Sequence, residues 1–258
     1  INPKARFHDS SPVTADDVIF SFETLRDHGR PNMRRIYKLV KEVKKIDNLT
    51  IHFAFGEGYD RETVMILAMM PVLSKKYWGG KNFDSSTLDK PLLNGPYKIA
   101  EIDPGRRIVY ERVPDYWAKD FLPNVGHFNF DRIVYDYYRD DTVAFEAFKA
   151  GNLNFRREWD AGKWASAYDF PALKDGRVKA EPLPHGRPEK VRSFIFNTRR
   201  APFDDIRVRE ALELLFDFEW ANKNLFHGQY KRITSYFPNS ELAAPDTAQP
   251  PLNETPGQ

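Results

Sequence analysis

The stretch from Asn197 to Asn224, with the residues leading into it, constrains the chain most. Val191-Arg192-Ser193-Phe194-Ile195-Phe196-Asn197 reads as an alternating strand, half buried. The basic loop Thr198-Arg199-Arg200 follows and delivers the chain to Asp204-Asp205, a helix start. Val208, Ala211, Leu212 and Leu215 then recur at helical spacing. A strand, a polar loop and a helix in this order predict an open α/β arrangement. Such folds usually gather ligand contacts between a strand end and the next helix N-terminus.

Earlier segments add elements of both kinds. Thr14 is expected to cap a helix with Asp16 and Asp17 in its first turn and Val18, Ile19, Phe22 and Leu25 on one face. Gly29 and Pro31 are expected to stop it. Ile36 to Ile46, the Asp47-Asn48 turn and Thr50 to Phe55 read as a hairpin, and Arg61 to Met70 as a helix. After Lys90 the texture changes: strands are expected from Tyr97 and from Ile108, joined by Pro104-Gly105, and another over Arg132–Tyr138. Asp140-Asp141 opens a short helix closed by Gly151, and strands and helices are expected to keep alternating to Asn197. Asp217 is placed to cap a further helix. From Leu242 onward the sequence is proline-rich and polar, which predicts an extended tail.

Composition narrows the function. Lysine and arginine total 39 against 37 acidic residues, a balance that gives no support for a nucleic-acid partner. Cysteine is absent, which removes disulfides, thiolate metal sites and cysteine nucleophiles. No run of about 18 apolar residues occurs, so no transmembrane segment is expected. The chain opens at Ile1-Asn2-Pro3 with no signal peptide, and is read as an internal piece or a processed product.

Common catalytic signatures fail. There is no phosphate loop, dinucleotide fingerprint, nucleophile elbow or zinc-protease helix motif. The histidines are scattered without ligand spacing; His52 reads as structural or solvated, and no metal or cofactor is expected. Asp16-Asp17, Asp140-Asp141 and Asp204-Asp205 all sit at helix starts, where carboxylates satisfy free N–H groups. Capping therefore explains them better than paired acid–base work.

Two constellations stand out. Arg156-Arg157-Glu158-Trp159, with Trp164 and Tyr168, follows the Gly151 helix stop. Tryptophans in a charged loop suit a pocket for mixed polar and apolar ligands, or else pack under a sheet edge. Asn197 offers an amide and Arg199 or Arg200 a guanidinium at the expected strand end; a solvated self-satisfied turn is the other reading. Tyr230 to Tyr236 could line a cleft, whereas Trp220 is expected in the core. The candidate ligand-binding set is Glu158, Trp159, Trp164, Asn197, Arg199 and Tyr236.

Four motifs resemble those of the family 5 extracellular solute-binding proteins, the dipeptide and oligopeptide binders of ATP-driven importers. They are Arg6-Phe7-His8-Asp9-Ser10-Ser11-Pro12-Val13-Thr14-Ala15-Asp16-Asp17-Val18; Asn94-Gly95-Pro96-Tyr97 with Glu111-Arg112-Val113-Pro114-Asp115-Tyr116-Trp117; Ala147-Phe148-Lys149-Ala150-Gly151; and Pro202-Phe203-Asp204-Asp205-Ile206-Arg207-Val208-Arg209-Glu210-Ala211. Phe216-Asp217-Phe218-Glu219-Trp220 and Thr234-Ser235-Tyr236-Phe237 look closest to the YejA-like branch. Ser10 stands where that family usually has glycine, Val113 where it has asparagine and Asn154 where it has aspartate.

The resemblance implies an α/β protein of the periplasmic binding protein type II fold, two-lobed with mixed sheets and flanking helices, here incomplete. Residues 1–90 would be an accessory subdomain of the first lobe, 91–193 part of that lobe, and 194–258 the start of the second. The implied role is periplasmic capture of peptides for an ABC permease at the inner membrane, without catalysis. The family's aspartate for a peptide amino terminus would lie outside this chain, so no residue here inherits it. A haem, nickel chelate, opine or sugar is an alternative ligand. An α/β hydrolase using Glu158 or Asp169, or a module with no ligand of its own, are the readings outside that class.

Overall fold

The computed structural model describes residues 1–85 and 87–244. The chain divides into two compact units, Ile1–Asp141 and Thr142–Gln258.

In the first unit, α1 spans Ala15–His28. Its start is held by Asp17, whose carboxylate accepts from the Thr14 N–H at 2.9 Å and the Thr14 hydroxyl at 2.7 Å. The other Asp17 oxygen accepts from the Lys75 N–H at 2.9 Å, tying α1 to α4 (Lys75–Trp78). Asp16 pairs with Lys45. Both acids thus serve the helix start and its neighbours, as a first-turn position favours.

Gly29 ends α1, but Pro31 does not simply lie beyond the stop. It opens α2 (Pro31–Tyr37), because its fixed φ and missing N–H suit a first helical position. The expected hairpin therefore begins later than Ile36. Met33 and Ile36 pack on the core, and Tyr37 is buried within it, along one helical face. Strands β1 (Val40–Lys45) and β2 (Ile51–Phe55) pair antiparallel with Val43 opposite Phe53 and an irregularity near Val40. His52 opposes Lys44 and is exposed. Helix α3 (Arg61–Ala68) adds Leu67 to a core of Phe22, Leu25 and Tyr37, with Phe53 edge-on to Phe22 at 5.5 Å. Full burial of one such aromatic contributes roughly 2–3 kcal/mol.

Strands β3 (Tyr97–Asp103), β4 (Arg107–Arg112) and β5 (Arg132–Asp136) form a second antiparallel sheet, with β4 central and Val109 buried in it. The N-terminal signature folds against the Asn94–Pro96 turn. The His8 N–H donates to the Leu93 carbonyl at 2.8 Å, the His8 ring lies 2.8 Å from the Gly95 carbonyl, and the Trp117 indole N–H donates to Asn94 at 3.0 Å. Phe7, Val13, Val72, Leu92 and Trp117 share one apolar cluster. Two motifs far apart in sequence thus meet as packing partners. Ser10 sits at φ +67°, the left-handed region that favours glycine.

In the second unit, α5 (Asp141–Lys149) buries Phe145 and Phe148 against Phe170 and Ala172, with α6 (Ala161–Ser166) and α7 (Pro171–Lys174) beside them. Helices α8 (Ile206–Leu214) and α9 (Phe218–Asn224) are capped by Asp205 and Asp217, whose carboxylates accept from Arg207 and Trp220 N–H groups. Three expectations are corrected here. The described residues after β5 contain no strand, so alternation does not continue to Asn197. Residues 191–197 lie without strand pairing, and Phe194 and Ile195 are 85% and 86% exposed. A strand exists only against a partner, and the described residues offer this one none. Trp220 is 57% exposed rather than a core residue. The two sheets are each wholly antiparallel. Most of the expected tail, from Pro245, lies outside the described residues.

Candidate functional site

The Arg156–Tyr168 region is built from the end of α5. Gly151, at φ +82°, closes that helix: its N–H donates to Phe148 at 3.0 Å, and the Asn152 N–H to Ala147 at 3.0 Å. A left-handed residue after a helix reverses the chain at little steric cost when it is glycine. The chain then returns beside α5. Arg156 lays its guanidinium over the Phe145 ring, 5.2 Å from the centroid.

Glu158 is the hub. Its Oε2 accepts from the Arg156 Nη2 at 3.0 Å and from the Tyr168 hydroxyl at 3.1 Å. Its Oε1 accepts from the Trp159 N–H at 2.9 Å and the Asp160 N–H at 3.0 Å. The Arg156 and Glu158 side chains are only 8% and 5% exposed. An ionised carboxylate has about four acceptor sites, so these donors use its capacity. Burial raises the proton affinity of Glu158. The Asp160 N–H, the Arg156 hydrogen bond and charge, and the Trp159 N–H more than offset that, and the carboxyl lies below its ordinary value. Tyr168 is shifted up, chiefly by burial.

The same carboxylate fixes the next turn. With both following N–H groups tied to Glu158, the chain enters α6, where Asp160 caps by accepting from the Lys163 N–H at 2.9 Å. Trp159 is left 73% exposed, with the Arg157 guanidinium 4.4 Å from its ring centroid. Trp164 is half-buried and packs on Tyr168 at 5.4 Å. Neither tryptophan packs beneath a sheet edge, because this unit has no sheet among its described residues.

The other candidates are described by their local surroundings: Asn197 and Arg199 bond to each other, and Tyr236 is exposed. The Asn197 side-chain oxygen accepts from the Arg199 N–H at 3.2 Å and its Nε at 3.3 Å, a self-satisfied turn. Phe196 stacks on Phe203 at 5.2 Å and anchors that loop. Tyr236 is 77% exposed. The contacts that hold Asn197 and Arg199 are local to their own turn. A shallow hollow of about 550 Å³ is lined by Glu219, Asn222, Lys223, His227 and Gly228, none of them in the predicted set. Arg157 belongs to the Arg-Arg-Glu-Trp run singled out above but not to the six candidate ligand-binding residues. Asp169 pairs with Lys174 at 2.7 Å in the open.

The fold around this hub is that of a solute-binding protein. The profile described as "Bacterial extracellular solute-binding proteins, family 5 Middle" matches residues 1–255, and the chain belongs to that family. A candidate binding protein of Brucella suis biovar 1 (strain 1330) is 45% identical over 245 residues, covering 95% of this chain and 40% of that protein. The Agrobacterium fabrum (strain C58 / ATCC 33970) protein named "Probable peptide-binding protein YejA" is 40% identical over 249 residues, covering 93% of this chain and 40% of that protein. This chain therefore spans about 40% of the length of these relatives.

Solved structures show the same fold. The agropinic acid complex of AgaA from A.tumefacien R10 matches with a TM-score of 0.63 at 22% identity, over 94% of this chain and 45% of that one. The nonapeptide complex of AppA, the oligopeptide-binding protein of Bacillus subtilis, matches with a TM-score of 0.58 at 21% identity, over 92% and 45%. The fold is that of part of a type II periplasmic binding protein.

Proposed function

We propose that the protein to which this chain belongs is the substrate-binding component of an ABC importer, capturing peptides in the periplasm for an inner-membrane permease. Family membership supports the solute-binding role, and the peptide-binding description of an Agrobacterium relative favours peptides. In this reading residues 1–90 form an accessory subdomain, 91–193 belong to the first lobe and 194–258 open the second. Ligand contacts come from Trp159, Trp164, Asn197, Arg199 and Tyr236, and Glu158 acts by holding Trp159 in place. Hinge closure over the ligand would then present the complex to the permease.

The observation that carries the reading is the locked presentation of Trp159. A large aromatic, 73% exposed, follows a carboxylate that is itself almost wholly buried and hydrogen-bonded. Exposed aromatics on rigid supports suit ligands whose side chains vary, because stacking and apolar contact tolerate many shapes. Glu158 has no acceptor site left for the hydrolase alternative. Among the described residues no helix is long and apolar enough to cross a membrane.

The test is mass analysis of small molecules that co-purify with the full-length protein from its native periplasm. A heterogeneous peptide population is expected. A single non-peptide compound would overturn the substrate assignment while leaving the fold intact.

A further inference from the structure

Residues 30–45 hold seven of the chain's 39 basic residues and one of its 37 acids, which leaves the rest of the chain net acidic. Lys45 is spent on Asp16 at 2.7 Å. Arg30, Arg34, Arg35, Lys38, Lys41 and Lys44 are exposed, and among the described residues none of them forms an ion pair. Asp27, near Lys38, is already held by two nitrogens of the Arg26 guanidinium, at 2.8 and 2.7 Å. The spacing turns this cluster into a ridge. Met33, Ile36 and Tyr37 face the core, so Arg30, Arg34 and Lys38, at four-residue intervals, run with Arg35 along the outer side of α2.

Helix α3 packs against α2 on the same core. It buries Leu67 and turns Ile66 and Met70 toward that core, whereas Val64, Met65 and Met69 on its other side are 46%, 62% and 74% exposed. A helix on the surface of a globular domain normally carries polar residues on the face away from its core. An apolar outer face beside an unpaired basic ridge matches an anionic bilayer, whose phosphates take the cations and whose acyl boundary takes the apolar side chains. An acidic protein surface would account for the ridge and leave the methionines without a partner. An apolar protein surface would take the methionines and strip water from unpaired cations. Unbranched, polarizable methionine also suits a fluid surface that offers no fixed holes.

We propose that α2 and α3 form a docking surface for an anionic lipid bilayer, with Arg30, Arg34, Arg35 and Lys38 on the lipid phosphates and Met65 and Met69 entering the headgroup boundary. The net acidic remainder of the chain is repelled by the same bilayer, which orients the contact. In the importer reading above, docking keeps the protein at the membrane that holds its permease. The surface is independent of the ligand assignment, because neither helix carries a candidate ligand contact.

The test is co-sedimentation of the full-length protein with vesicles of phosphatidylcholine, alone or mixed with phosphatidylglycerol. Retention is expected on the mixed vesicles only, and it should weaken as salt is raised from about 0.05 M to about 0.5 M. A triple Arg34→Gln, Arg35→Gln, Lys38→Gln variant should bind about a hundredfold more weakly, since each basic residue near an anionic bilayer contributes about fivefold. Arg34→Lys with Arg35→Lys should bind like the wild type. Met65→Ser with Met69→Ser should bind about tenfold more weakly and keep the salt dependence. Thermal midpoints should be unchanged, because all these side chains are exposed. Equal retention on neutral vesicles, no retention on anionic ones, or full retention of the triple variant overturns the docking surface. A methionine variant that binds like the wild type overturns the insertion. A lowered midpoint in that variant also overturns it, by assigning the methionines to a contact with the rest of the full-length protein.

Discussion

Arg156 and Glu158, two residues apart, meet as an ion pair of 3.0 Å whose side chains are 8% and 5% exposed. Removing Arg156 leaves the buried Glu158 carboxylate without its cation, which costs about 3–5 kcal/mol. Arg156→Met is therefore expected to destabilise the second unit by at least about 3 kcal/mol in a denaturant titration, and an apolar Arg156→Met, Glu158→Leu double substitution much less. Equal losses from the single and double substitutions would show that the unpaired Glu158 charge is not what the single substitution costs.

The pH dependence follows from the direction of the Glu158 shift. Its carboxyl binds a proton less readily in the fold than in the unfolded chain. Its stabilising contribution is thus complete above the ordinary glutamate value of about 4.3 and is lost as pH falls through the lower folded-state value. Acid unfolding of the second unit should shift to a higher pH midpoint in Arg156→Met, which lacks the charge that helps hold the carboxylate ionised.

Asp9 makes a similar prediction at a turn. The Ser11 hydroxyl, joined by the Ser11 N–H and Lys76, lowers its carboxyl to about 2 against opposing desolvation. An NMR titration should place Asp9 there, and Ser11→Ala should move it toward the ordinary 3.8.

Ser10, in that same turn, holds φ +67°. A β-carbon in the left-handed region is unfavourable, whereas glycine brings more freedom to the unfolded chain. Ser10→Gly is expected to stabilise the first unit by about 0.5–1 kcal/mol net, read from its thermal midpoint. An unchanged or lower midpoint would contradict the strain at Ser10.

Much of this was legible because it is local. Thr14 with Asp17, Gly29, Gly151, Asp205 and Asp217 mark helix ends through groups a few residues away, and the structure uses each as the sequence implied. Pro31 was ambiguous because proline both ends one helix and begins the next. Residues 191–197 have the pattern of a strand, but pairing depends on a partner that the pattern does not contain. The Arg-Arg-Glu-Trp run drew attention to the loop after α5. It did not reveal that Arg156 and Glu158 turn inward while Arg157 and Trp159 turn outward, because that division is set by Phe145 and Tyr168 on neighbouring elements.

The most direct measurement is calorimetric titration of a free tripeptide mixture into the full-length protein, wild type and Trp159→Ala. The account predicts saturable binding by the wild type, and affinity at least about tenfold weaker in the variant, the loss of one well-placed aromatic contact, with no change in thermal midpoint. Equal affinity in the two proteins, or no binding by the wild type, would contradict it.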